Sequence, residues 1–132
     1  MSSTFERIDT KTFHKLGPQE KIDYLFRNAE YSADNGEFAH MDQSIFLLRG
    51  LYRKYTTDTS DINEAEKRIA SIGAKGCKNA LLTALKKCEE ELAKEDDKLI
   101  AKTLEQIENY ARAYAGYHNS LRRLKRFDPS LL

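Results

Sequence analysis

Arg112, Asn119, Arg123 and Arg126 are spaced to fall on one stripe of a helix, with Arg122 and Lys125 flanking it and Tyr117 nearby. A row of guanidinium groups can grip phosphates, and a tyrosine ring can stack on a base. The same row can meet the carboxylates of an acidic protein. Five cations stand between Arg112 and Arg126 with no acid among them. Cations at a helix C-terminus offset its dipole by ~0.3–1 kcal/mol each, which accounts for one or two of the five. The stretch is therefore expected to be a contact surface. Its partner is either an acidic protein or a nucleic-acid phosphate backbone.

Other chemistries find less to work with. Glu37-Phe38-Ala39-His40 gives one Glu-x-x-His pair, whereas di-iron bundles use two such pairs and two further glutamates. The chain has three histidines in all, widely separated, so neither a metal nor another cofactor is expected. Cys77 and Cys88 are eleven residues apart, on the same face if one helix carries both. Along a helix that spacing is about 16 Å, too far for a disulfide, and both are expected to be buried thiols. Gly73-Ala74-Lys75-Gly76 lacks the spacing of a phosphate-binding loop and follows no strand. No catalytic set emerges, and a non-enzymatic protein is expected.

Three short tracts resemble known families. Arg112-Ala-Tyr-Ala-Gly-Tyr-His118 resembles the arginine–histidine motif of HEPN ribonucleases, with Ala113 where the family usually has a polar residue. That resemblance implies a small helical bundle in which Arg112 and His118 of two subunits would meet to cut RNA. Tyr110 to Asn119 is similar to the aromatic C-terminal helix of the helical small subunits in CRISPR effector complexes, and the similarity fades upstream. Leu51-Tyr52-Arg53 spells the tripeptide of the small mitochondrial LYR proteins. Those carry it early in their first helix; here it ends the second long one.

The elements that must position these residues are all helical. Few prolines and glycines, with many Ala, Leu, Glu and Lys, argue for helix, and no strand pattern occurs. Residues 1–16 read as an arm that packs through Phe13 and Leu16, with one turn capped by Asp9 or Thr10. A first long helix opens at Pro18, where a missing N–H costs nothing, and stops at Asp34-Asn35-Gly36. A second runs from about Glu37 to Tyr55. Its wide apolar stripe predicts the most buried helix, and a close crossing would explain Gly50. A third starts at Ser60 or Asp61, with Asp61 and Glu64 spaced as a capping box. Its seam is Ile62, Ala65, Ile69 and Ile72. The apolar phase continues past Gly73-Ala74-Lys75-Gly76 through Cys77. This is either one long helix with a small-residue patch or two helices at a glycine hinge, and the two glycines favour the break.

A hairpin is expected at Lys94–Asp97, because one helix from Cys77 to Phe127 would be about 75 Å long. The last helix then ends at Asp128-Pro129. Its seam is read as Ile100, Leu104, Ile107, Ala111, Tyr114, His118 and Leu121. Beside it Tyr110, Tyr117 and Leu124 recur at seven-residue intervals, a flank that can bury against the bundle or against a second chain.

The fold class is therefore all-α: a single-domain bundle of four to five helices spanning 1–132, with residues 1–16 as an N-terminal arm. Charged residues make up 33%, but the periodicity of the apolar ones argues against disorder. A formal net charge of +1 supplies no global field toward nucleic acid or membrane, so any such contact must be local. With no long apolar run and no apolar leader, no membrane association is expected and a cytoplasmic location is. The functional expectation is a small protein-binding module: an adaptor, inhibitor or assembly subunit. A nucleic-acid-backbone binder and a HEPN-like ribonuclease are the alternatives.

Overall fold

The computed structural model describes residues 5–56 and 58–126, the side chains of Lys125 and Arg126 excepted. It is an all-α bundle. The helices are α1 (Thr10–Lys15), α2 (Pro18–Asp34), α3 (Phe38–Tyr55), α4 (Thr59–Ala93) and α5 (Asp97–Arg126). The proposed stop at Asp128-Pro129 lies outside the described residues.

Local chemistry sets most ends. Asp9 caps α1, its carboxylate accepting from the Thr12 amide at 2.8 Å. Proline occupies the first position of α2. That helix closes through Gly36, whose φ of 70° suits glycine, while the Glu37 amide donates back to the Ser32 carbonyl at 2.8 Å. At the start of α4 the expected capping box gives way to Asp58, which accepts from the Ser60 amide at 2.8 Å.

The core lies where α2 and α3 cross α4. Phe26, Met41, Ile45, Leu48 and Ile69 are fully buried there. Each such side chain contributes roughly 1.5–3 kcal/mol relative to exposure. Between α2 and α3, Asn28 donates to Ser44 at 2.7 Å, satisfying a buried hydroxyl. The arm is tied more firmly than its apolar residues suggest. Arg7 bonds Asn28 at 3.0 Å and Ser32 at 3.1 Å and pairs with Glu37 at 3.1 Å. The Ile8 amide donates to the Tyr24 hydroxyl at 3.1 Å.

Three expectations need correction. α3 is not the most buried helix: Phe46 is 76% exposed, and its buried residues are only Met41, Ser44, Ile45 and Leu48, with Phe38, Leu51 and Tyr52 half-buried against the core. Phe46, Leu47 and Tyr55 are left at the surface. Gly50 sits in open space, where a Cβ would meet no neighbour within 4 Å, so no close crossing explains it. Finally, α4 does not break at its glycines; it is one helix of 35 residues, about 52 Å long. Gly73 and Gly76 are points of close approach. A Cβ at Gly76 would stand 2.1 Å from the Met41 sulfur, and one at Gly73 would stand 2.5 Å from the Tyr117 ring.

The two-helix layer α2–α3 covers only part of this length. Its turn lies level with Lys75 and Asn79: Lys75 pairs with Asp34, and Asn79 donates to the Ala33 carbonyl at 2.9 Å. From Asn79 to Ala93, α4 continues beside α5 for about 21 Å. α4 and α5 thus form a hairpin that projects past α2 and α3.

Candidate functional site

The inner face of α5 is shifted by one column from the expected seam. Thr103 is buried, and Ile100, Ile107, Tyr110, Tyr114, Tyr117, Leu121 and Leu124 are half-buried. These positions alternate steps of three and four. Leu104 (52% exposed), Ala111 and His118 are outside. The apolar arc of α5 is wide enough to serve two seams, and neighbours choose between them. Phe38 of α3 receives Tyr110 at 5.0 Å between ring centroids, and Gly73 makes room for Tyr117. The tyrosine flank therefore buries against the bundle. Tyr117 is withdrawn from the proposed contact surface; burial pushes its phenol above the ordinary tyrosine range.

The basic stripe is partly as expected. Arg112, Asn119, Arg122 and Arg123 are all exposed. Arg112 is engaged with Glu108 one turn earlier. The ion pairs among the described residues include neither Arg122 nor Arg123. The side chains of Lys125 and Arg126 lie outside the described residues. His118 is exposed and stacks on Tyr114, with ring centroids 5.7 Å apart. Arg112 and His118 are six positions apart, which places them about 120° apart round the helix.

The remaining polar candidates have structural occupations. His40 lies 3.9 Å from Glu37, whose other neighbour is Arg7. Bonding to Arg7 holds the Glu37 carboxyl below its ordinary range. Both cysteines are free and buried on the inner side of α4. Burial pushes the Cys77 thiol up to about 11, so at neutral pH it is protonated and a poor nucleophile. An open groove between α2, α3 and α4 is lined by Phe26, Tyr52, Glu64 and Arg68 among others. Arg68 crosses it, lying over the Phe26 ring at 4.1 Å and bonding Glu30 at 2.7 Å.

A surface that periodicity did not isolate lies on the projecting hairpin. Its interior is made of small residues: Ala80, Ala84 and Cys88, with Glu91 and Thr103 at the far end. Small residues let the two helices approach closely, and the larger side chains are then left outside. Leu82 (53%), Leu85 (47%), Leu92 (57%), Leu99 (44%) and Leu104 (52%) are all exposed.

Three of these share one face. At ~100° per residue, Leu85 lies about 180° round α4 from Gly76, and Leu92 about 160°. Gly76 is the position pressed against Met41 of α3. On α5, Leu104 lies about 120° from Tyr110, the residue that meets Phe38. Because α4 and α5 are antiparallel, both offsets turn to the same side of the hairpin, away from α2 and α3. Half-buried Leu81, Ile100 and Ile107 border the three leucines. The one-dimensional signal was present in α4, where Ala80/Leu81 and Ala84/Leu85 set a small residue beside each leucine. Spacing alone does not say which of each pair packs inward.

No helix among the described residues is long and apolar enough to cross a membrane. Compared with known proteins, the chain matches no family model, no curated protein and no solved structure.

Proposed function

We propose that this chain is a non-enzymatic protein-binding module that works through the open face of the α4–α5 hairpin and the adjoining basic stripe of α5. One observation carries the reading: Leu85, Leu92 and Leu104 lie about half exposed on a single face that no other helix among the described residues covers. Exposed leucines scattered singly are ordinary, whereas a contiguous set marks a contact surface. Arg122 and Arg123 stand about 27 Å further along α5 than Leu104 and supply a second, basic contact that suits carboxylates on a partner. A cytoplasmic setting fits two unpaired thiols.

The test is affinity capture from the native host with the parent chain, with L85E/L104E and with R122A/R123A. Capture of a protein that both variants lose is the expected result. Capture unchanged by L85E/L104E would sink the reading.

Exposed Arg122 and Arg123 also favour a second reading, binding to a nucleic-acid backbone. That reading requires RNA or DNA affinity that falls steeply with salt and falls again in R122A/R123A. A HEPN-like ribonuclease would in addition lose cleavage on His118→Ala with its fold intact.

A further inference from the structure

We infer that the partner of the open hairpin face is a second copy of this chain, bound antiparallel, so that two hairpins close into a four-helix arrangement. The inference rests on the protein-binding reading above and names its occupant. Two features of the same hairpin support it.

The first is the apolar pattern. Leu85 and Leu92 on α4 are seven residues apart, and on α5 Leu104, Ala111 and His118 recur at the same interval. All five lie on the face turned away from α2 and α3, and all are exposed. A seven-residue repeat on both helices of a hairpin is the pattern by which helices pack at shallow angles. A two-fold interface is self-complementary, so one such face is sufficient for two copies.

The second is charge. Residues 89–108, around the hairpin tip, carry eight acids and three bases. Residues 109–126 carry five bases and no acid. The hairpin is thus negative at its tip and positive at the other end of α5. Antiparallel pairing sets the acidic tip of each copy alongside Arg122 and Arg123 of the other. Parallel pairing would set like charges together, and that orientation is disfavoured. The formal net charge of +1 offers little repulsion to two copies meeting. The layer α2–α3 lies on the opposite side and does not obstruct the contact.

The test is sedimentation equilibrium of the full chain over a range of concentration and salt. The parent should be dimeric at micromolar concentration and physiological salt, with dissociation favoured as salt rises. L85E/L104E should be monomeric with unchanged helical circular dichroism, since both side chains are exposed in the single chain. R122E/R123E should raise the dissociation constant at least ~10-fold, and adding Glu89→Lys and Glu95→Lys to it should restore most of the loss.

A parent chain that stays monomeric at tens of micromolar overturns the inference, as does a dimer indifferent to L85E/L104E. A charge swap without rescue overturns the antiparallel arrangement. These failures are separable from failure of the protein-binding reading. A monomer that still captures a different protein through Leu85 and Leu104 removes only the second copy. A monomer with no leucine-dependent capture removes both, and a monomer that binds RNA through Arg122 and Arg123 favours the nucleic-acid reading.

Discussion

Gly73 of α4 lies against the ring of Tyr117 of α5 so closely that a Cβ there would stand 2.5 Å from two ring carbons. This contact sets the separation of the two longest helices and turns Tyr117 inward. Gly73→Ala must push Tyr117 out or spread the hairpin. Overpacking of this kind typically costs ~1–3 kcal/mol. Denaturant unfolding should show that loss, and a smaller one when the same change is made in a Tyr117→Ala background. Gly50 is the internal contrast, with open space around it in mid-helix. Gly50→Ala should stabilise by about 0.5–1 kcal/mol.

Glu91 is buried at the far end of the hairpin, where its Oε1 accepts from the Thr103 hydroxyl and its Oε2 has no partner among the described residues. Removing the donor alone should therefore cost more than removing both groups. Thr103→Val should destabilise by about 1–3 kcal/mol. Glu91→Met with Thr103→Val should recover that loss or exceed the parent, because two apolar groups need no desolvated partner. A double variant as unstable as Thr103→Val would contradict this account.

The arm should respond to acid. Bonding to Arg7 lowers the Glu37 carboxyl, and bonding to Thr12 lowers that of Asp9. A carboxyl depressed in the folded state stabilises above its unfolded value and loses that contribution as pH falls through the lowered one. Docking of the arm should therefore be constant above pH ~5 and weaken below the ordinary carboxylate range of ~4. Amide-exchange protection at Ile8, whose N–H donates to Tyr24, reports it. Glu37→Gln should weaken protection at neutral pH and flatten its dependence on acid.

α4 ends through Glu95 at φ 55°, a left-handed conformation that usually belongs to glycine. The Glu95 amide donates to Leu92 at 3.2 Å and the Asp96 amide to Glu91 at 3.3 Å, the two bonds of a Schellman ending. Glu95→Gly should raise stability by about 1 kcal/mol by removing the Cβ strain. A lower unfolding midpoint in that variant would show that the Glu95 side chain contributes more than its strain costs.

The helical class was legible in composition, and the hairpin at Lys94–Asp97 in the length an unbroken helix would have. The ends at Pro18 and Gly36 were legible one residue at a time, because each depends on a neighbour within a turn: a missing N–H, or a carbonyl satisfied across a left-handed residue. The exposed row of Arg112, Asn119, Arg122 and Arg123 was legible too, since helical spacing fixes which residues share a face. The sequence by itself also set the polarity of α5, acidic first and basic last, because charge order along a chain does not change on folding. Tertiary structure decided which of two apolar columns on α5 turns inward. Gly73 and Phe38, distant in sequence, chose Tyr117 and Tyr110 over His118 and Leu104. It likewise decided that Ala80, Ala84 and Cys88 fill the hairpin and that Leu85 and Leu92 stand outside, since close approach of two helices admits small side chains and excludes large ones. The glycines that read as a hinge became the closest contacts of an unbroken helix for the same reason: what a missing side chain is for depends on what lies opposite.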